Sequence, residues 1–137
     1  MAYSSPVDII ASDVGVPLAY IVDPSWQPSD TTFMTPSDFS LQMGMIVYSA
    51  GEDIPAHVHL PITRQVEGTS ECIVVRKGRC CVTIYDSQRN FVAERDLEEG
   101  AIILLLSGGH GFHLYEDTIL FEVKQGPYAG NKDKERF

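Results

Sequence analysis

The four histidines of the chain form two short clusters about fifty positions apart. His57 and His59 are separated by one residue, and His110 and His113 by two. Alternate residues of a β-strand share a face, so the first two imidazoles would project together from Cα atoms about 6.5–7 Å apart. Both could then reach one metal ion at about 2.0–2.1 Å. This pair is a candidate metal site, and the alternative is a surface or core pair satisfied by hydrogen bonds.

Glu71 is a candidate third ligand because it stands at the head of the apolar run 72–75. Strand alternation places its side chain on the face of Ile73 and Val75. A carboxylate on an inward face is costly unless it binds a cation or accepts hydrogen bonds. Metal binding would remove that cost, whereas the alternative is a charged strand residue exposed in a hairpin.

These residues resemble the first motif of the cupin superfamily, which is G-x5-HxH followed by a glutamate and x6-G. Gly51 precedes His57 by six positions, and Glu71 precedes Gly78 by seven. Residues 100–110 are similar to the second cupin motif, G-x5-P-x-G-x2-H. A leucine stands at the proline position there, and the histidine comes one position early.

Residues 41–125 carry this resemblance, which implies a metal ion held inside a β-barrel. The implied ligands are His57, His59, Glu71 and His110. His113 competes for the fourth position, although in a regular strand it faces away from His110. Three imidazoles and one carboxylate suit one divalent transition metal, namely Fe, Mn, Ni, Co or Zn. Residues 122–137 also resemble the ending of a group of small, single-domain bacterial cupins of the RmlC-like type.

Three side chains are candidates for contact with a substrate. In cupins three or four residues usually separate the histidine pair from the glutamate. Here the separating residues are 60–70, and we expect them to form a longer loop at the barrel mouth. Arg64 in this loop would contact an anionic substrate, or else is a solvated loop arginine. His113 and Tyr115 are weaker candidates, and Tyr115 shares the face of His113 rather than that of His110.

The predicted function is that of a metal-dependent enzyme acting on a small polar metabolite, either a sugar-like isomerase or an oxygenase. A second interpretation is a non-catalytic cupin module that binds a small ligand. A third is a metal-free sugar epimerase of the cupin type. The third fits less well, because such an enzyme pairs a histidine with an acidic residue and does not need the full set of three histidines and one glutamate.

The elements that must position these residues are short strands separated by turn signals. We expect strands at 18–22, 41–48, 56–60, 71–75, 80–85, 91–95, 101–106, 110–115 and 119–124. No segment has a sustained 3.6-residue apolar period, so helix content should be low. Many short strands at this spacing indicate a sandwich or barrel. The predicted fold class is all-β, a jelly-roll β-barrel or double-stranded β-helix as in cupins.

Three segments follow from this pattern. Residues 1–40 are expected to form an extended arm, because most of the prolines lie there and each removes a backbone donor. Within the arm, 18–22 would be an edge strand or would lie on a partner subunit. Residues 41–125 would form the barrel with the metal site, and 126–137 a charged tail.

Composition narrows the class of protein. The 137 residues suffice for one domain with a core. A net charge of −9 without a basic stripe argues against nucleic acid as a partner. No apolar run approaches the roughly 20 residues that span a bilayer, which argues against a membrane. Without a secretory signal or a CxxC pattern, we expect a cytoplasmic protein with reduced thiols. Cupin barrels have exposed sheet edges and often pair through them, so the resemblance implies a homodimer, and the expected partner is a small-molecule ligand.

Overall fold

A computed structural model describes residues 5–137, which contain ten β-strands and one 3-10 helix of three residues. No α-helix occurs among these residues, which confirms the expected low helix content, and no helix there is long and apolar enough to cross a membrane. The elements in chain order are β1 (Val7–Ala11), β2 (Pro17–Val22), β3 (Thr32–Phe33), β4 (Gly44–Met45), β5 (Glu71–Lys77), β6 (Cys80–Tyr85), β7 (Phe91–Leu97), β8 (Ile102–Leu105), β9 (Gly109–Leu114), β10 (Ile119–Lys124) and the 3-10 helix Gly130–Lys132.

The described chain divides into two compact units. Residues 5–26 and Gly68–Phe137 form the first unit, and Gln27–Glu67 form the second. The first unit contains a five-stranded sheet of order β1-β2-β8-β5-β10 and a three-stranded sheet of order β7-β6-β9. Apolar side chains from both sheets form one buried cluster, so this unit is a β-sandwich. The all-β prediction is therefore confirmed, with antiparallel sheets that do not close into a barrel within residues 5–137.

Alternation along the strands builds the core of the sandwich. In β5, Ile73 and Val75 are 4% and 1% exposed, and in β6, Cys80, Val82 and Ile84 are no more than 1% exposed. Their alternate neighbours point to the other face of each sheet, as the period of two requires. The predicted strands 80–85 and 119–124 are confirmed with the same bounds, and the strands predicted at 71–75 and 91–95 each continue for two further residues.

The strand predicted at 18–22 is confirmed as β2, but its expected place at a sheet edge is wrong. It lies between β1 and β8, and Leu18 and Val22 are at most 1% exposed. The reason is that Val7–Ala11 forms a strand of its own despite the nearby prolines and pairs along the outer side of β2. Both faces of β2 are apolar, which suits an interior strand.

One side of the sandwich is closed by an ion pair. Asp8 lies on β1, at the edge of the five-stranded sheet, and Arg95 lies on β7, at the edge of the three-stranded sheet. The Arg95 Nε donates to Asp8 Oδ2 at 2.7 Å. Since each residue belongs to a different sheet, this bond joins the two layers.

The turn between β6 and β7 is held by Asp86, the first residue of the polar run 86–90. Its carboxylate accepts hydrogen bonds from the backbone N–H groups of Gln88 and Asn90, each at 2.9 Å. The bond from the Asn90 N–H is the main reason that the pKa of Asp86 lies below its ordinary value. The turn therefore rests on an ionised carboxylate.

The corner that leads into β9 depends on glycine. Gly108 has a φ of +73°, and a Cβ atom at this position would collide with the carbonyl oxygen of Tyr85. Only glycine satisfies both conditions. The corner thereby fixes where β9 begins, so that Gly109 pairs with Tyr85 and His110 with Ile84.

The second unit contains the short hairpin of β3 and β4, in which Thr32 pairs with Met45 and Phe33 with Gly44. Its loop is tied by Gln42, whose side-chain amide donates to the carbonyl oxygens of Pro36 and Phe39 at 2.9 and 2.7 Å. This side-chain bonding competes with strand pairing. The strand predicted at 41–48 is therefore reduced to Gly44–Met45.

The strand predicted at 56–60 is wrong, because residues 46–70 contain no strand. Pro55 and Pro61 flank the predicted strand and remove a backbone donor on each side. All residues from 48 to 68 are exposed. His57 and His59 therefore lie in irregular backbone.

Candidate metal centre

Glu71 is the first residue of β5, and its register places it at one end of the five-stranded sheet. It pairs with Leu105 on β8 and with Lys124 on β10. Because it alternates with the buried Ile73, its side chain points to the inner face of the sheet. The side chain is 15% exposed, as expected for a carboxylate at the mouth of an apolar core.

His110 and His113 lie on opposite faces of β9. His110 pairs with Ile84, which belongs to the core, whereas His113 pairs with Cys81. The His113 ring lies 5.5 Å from the ring of Tyr115. The inner face therefore carries His110 and the outer face carries His113 with Tyr115.

The inner-face residues of the two sheets meet at Glu71 and His110. The Nε2 atom of His110 lies 3.0 Å from the Oε2 atom of Glu71. This contact lacks hydrogen-bond geometry, and Glu71 Oε2 is buried without a hydrogen-bond partner. The His110 imidazole nevertheless lowers the pKa of Glu71, while burial opposes the shift. Glu71 Oε2 thus points inward toward its ion-pair partner His110 without a well-aligned hydrogen bond.

The separation of these two atoms is that of an ion pair, and it equals the separation expected for two ligands of one metal ion. Two ligand atoms at about 2.1 Å from one ion, at right angles to each other, are separated by about 3.0 Å. That is the separation of His110 Nε2 and Glu71 Oε2. A buried acceptor left without a partner costs about 1–3 kcal/mol, and a bound cation would remove this cost.

His57 and His59 lie together in the second unit, although no strand aligns them. Their ring centroids are 5.3 Å apart, with 65° between the ring planes. The Nδ1 atom of His57 lies 2.9 Å from the carbonyl oxygen of Pro55. A carbonyl oxygen only accepts, so Nδ1 carries the proton and Nε2 of the neutral ring keeps its lone pair. This backbone bond favours the tautomer that leaves Nε2 available to a metal.

The structure thus brings the four predicted ligands together as two pairs, one in each unit. Within residues 5–137 no three His, Cys, Asp or Glu side chains lie close enough to hold one ion. Among the substrate candidates, Arg64 is exposed in the second unit. His113 and Tyr115 lie on the outer face of the three-stranded sheet, away from the inner face that carries Glu71.

The outer face of the three-stranded sheet carries a polar cluster of its own. The Tyr115 hydroxyl donates to Asp96 Oδ1 at 2.6 Å, and the Arg79 guanidinium lies 4.5 Å from the centre of the Tyr115 ring. The bond to Asp96 raises the pKa of Tyr115 above its ordinary value. Tyr115 is therefore engaged as a donor within this cluster.

Glu122 contacts the inner-face site but is not among the sequence-predicted residues. It pairs with Ile73 across the β5–β10 ladder, which places its side chain beside that of Glu71. Burial raises the pKa of Glu122, and the neighbouring Glu71 carboxyl group raises it further. Only knowledge of the register between β5 and β10 would have identified Glu122 as a neighbour of Glu71.

The chain was compared with protein-family models, with curated proteins and with solved structures, and none of the three comparisons gives a match.

Proposed function

We propose that this protein is a metal-binding enzyme of the cupin type, with one divalent transition metal held in a jelly-roll core. The proposed ligands are His57, His59, Glu71 and His110. The observation that carries the proposal is the buried Oε2 of Glu71, which accepts no well-aligned hydrogen bond and lies 3.0 Å from His110 Nε2. The tautomer of His57 that the Pro55 carbonyl favours supports the same conclusion.

The proposed substrate is a small polar metabolite. A divalent metal supplies polarisation of a carbonyl group or activation of water or dioxygen. The residues of the chain would contribute three neutral imidazoles and one carboxylate, a set that suits Fe, Mn, Ni, Co or Zn. The apolar core beside Glu71 and His110, which includes Ile73 and Ile84, would exclude bulk water from the site.

Elemental analysis tests the metal centre directly. The wild-type protein, purified without a metal-affinity tag, should contain about one transition metal per chain. The double variant His57→Ala/His59→Ala should contain none, because two of the four proposed ligands are removed. His113→Ala is the matched control, since this histidine lies on the outer face, and it should keep the wild-type content. Full metal content in the double variant would refute the ligand set.

The reaction class needs a second assay on the loaded protein. Oxygen consumption with a panel of small diols, thiols and keto acids would identify an oxygenase. Interconversion of hydroxy-carbonyl sugars without oxygen uptake would identify an isomerase. A protein that binds these compounds without turnover would instead be a ligand-binding module.

We also propose that the protein is a cytoplasmic homodimer. Edge strand β10 exposes Phe121 and Val123, at 58% and 53%, beside its unpaired backbone, and such an edge favours pairing with another chain. The cysteines Cys72, Cys80 and Cys81 are all free thiols, which suits a reducing compartment. Light scattering should give twice the chain mass, and a monomeric mass would contradict the dimer.

A further inference from the structure

The segment 54–60, which contains His57 and His59, has the side-chain alternation of a β-strand without being one. Its even positions hold apolar side chains, all of them exposed: Ile54, Ala56, Val58 and Leu60. Within residues 5–137 no backbone–backbone hydrogen bond involves this segment. Exposed apolar side chains in a continuous row mark a surface that binds a partner.

The two prolines of this region leave one backbone edge of the segment intact. Successive residues of an extended chain direct their backbone N–H and C=O groups to opposite edges. Pro55 and Pro61 are an even number of positions apart, so both missing donors fall on the same edge. Positions 56, 58 and 60 keep their N–H groups on the other edge. The segment can therefore join a sheet as its outermost strand, with the prolines facing solvent.

Strand β9 offers an edge for such a strand. It is the last strand of the three-stranded sheet, and among the described strands it pairs only with β6. Its inner face carries His110, and its outer face carries Gly109 and Gly111. A Cβ atom at Gly111 would meet nothing within 4 Å. The apolar side chains of an added strand could lean over this glycine, while the alternate residues of that strand would face inward beside His110.

The free segment and the free edge belong to the same chain, and each carries half of the proposed ligand set. His57 and His59 lie on the segment, whereas His110 lies on β9 and contacts Glu71. Within the described residues no three ligating side chains of one chain come close enough to hold an ion. A second copy of the chain is therefore the partner that can satisfy the segment, the edge and the ligand set together.

We propose that two copies of the chain exchange this segment, so that residues 54–60 of each copy pair with the free edge of β9 of the other. Each metal site then contains Glu71 and His110 of one copy with His57 and His59 of the other. This inference rests on the proposed metal-binding function, to which it adds that the second copy supplies half of the ligands. The exchange closes with two-fold symmetry, because each copy gives one strand and receives one.

A mixed dimer of two variants tests the shared site. One chain carries His57→Ala/His59→Ala and the other Glu71→Ala/His110→Ala, and distinct peptide tags that do not bind metal allow the co-expressed heterodimer to be isolated. Exchange gives the heterodimer one complete site and one empty site, so elemental analysis should find half of the wild-type metal content. Each variant alone should contain none. A heterodimer without metal, beside a loaded wild type, would refute the exchange, because the ligands would then come from one chain.

Cross-linking tests the exchange without metal. Leu60→Cys in one tagged chain and Gly111→Cys in the other place one thiol on the segment and one on β9. A short bismaleimide should join these two chains covalently, as a denaturing gel would show. The matched control pairs Leu60→Cys with Phe91→Cys, which is exposed on β7 at the opposite edge of the same sheet, and this pair should remain unlinked. Equal yields from the two pairs would overturn the exchange.

The two experiments separate this inference from the proposed function. A wild-type protein that contains no metal would refute the proposed function, and the cross-links would still decide whether the segment is exchanged. A loaded wild type with equal cross-link yields would refute the exchange alone.

Discussion

Two acid–base pairs join the same two sheets, and they differ in what holds them together. Asp8 and Arg95 meet at the β1–β7 side, and Glu71 and His110 meet between β5 and β9. Their acidic side chains are similarly buried, at 20% and 15% exposure. Arg95 donates directly to Asp8 at 2.7 Å, whereas Glu71 Oε2 has no hydrogen-bond partner.

In the proposed function, the first contact closes the fold and the second holds a ligand. A bonded ion pair satisfies both partners and needs nothing further. A buried acceptor without a donor is a cost that the remainder of the core must offset. Such costs concentrate at functional sites, where they are relieved by the bound group. The proposed metal centre thus stands at the incomplete pair rather than at the complete one.

The largest expected effect concerns metal affinity. Glu71→Ala should weaken binding of Zn²⁺ by more than about 100-fold, because loss of a ligand costs more than loss of its hydrogen-bond partner. Asp8→Ala removes the acid of the other pair and should leave the affinity unchanged. Titration calorimetry of both metal-free variants measures this contrast. Equal losses in the two variants would mean that general damage to the sandwich, not ligation, controls binding.

The next effect is stabilisation by the metal. At a free metal concentration of 100 times Kd, binding to the folded state alone adds about 2.7 kcal/mol to the free energy of unfolding. Urea titrations with metal and with excess chelator measure this increment. Arg95→Ala should lower the free energy of unfolding both with and without metal and should keep the increment that metal adds. His110→Ala should lose that increment. An increment that survives in His110→Ala would contradict its role as a ligand.

A smaller effect is expected for the complete pair itself. A double-mutant cycle with Asp8→Ala and Arg95→Ala should give a coupling energy of about 0.5–1 kcal/mol, because Arg95 is 44% exposed and solvent weakens the attraction. The coupling should shrink in about 1 M salt, where such charges are screened. The double-mutant cycle, repeated at low and at high salt, measures the coupling energy and its dependence on salt. A coupling that is indistinguishable from zero at low salt would show that the bond does not stabilise the β1–β7 side.

The smallest effect is a pH dependence at the turn that leads into the strand of Arg95. The folded-state pKa of Asp86 is lowered by hydrogen bonds, chiefly from the Asn90 N–H. Its contribution to stability is therefore present above the unfolded pKa and is lost as the pH falls through the folded pKa. Asp86→Asn should narrow the difference between urea midpoints measured at about pH 7 and about pH 3. A difference equal to that of wild type would exclude this carboxylate as a source of acid sensitivity.

Local sequence is sufficient for the strands whose side chains alternate and whose ends carry turn residues. Strands β6 and β10 can be predicted from the sequence with their observed bounds. The sequence also predicts strands at 41–48 and 56–60, but only Gly44–Met45 forms one. The Gln42 side chain bonds to the backbone of its own loop, and Pro55 has no backbone N–H to donate. A strand also needs a partner, and pairing is a non-local property that strand propensity does not contain.

The same distinction applies to the candidate site. The inward direction of Glu71 follows from alternation with Ile73, and the opposite faces of His110 and His113 follow from their spacing. Glu122 could not be found in this way, because its place beside Glu71 depends on a register between strands that lie about fifty residues apart. Sequence therefore predicts the face that a residue occupies more readily than its neighbour across the sheet.

Gly108 restricts insertions and deletions at the corner formed by residues 107–109. Because strand faces alternate with a period of two, one added or deleted codon at 107–109 would turn His110 outward and bring a glycine inward, provided that β9 keeps its pairing with β6. The collision that any side chain at position 108 would make with Tyr85 prevents the corner from absorbing the shift. In a library of single-residue insertions and deletions selected for folded protein, variants at residues 60–68 should accordingly be retained and variants at residues 107–109 depleted.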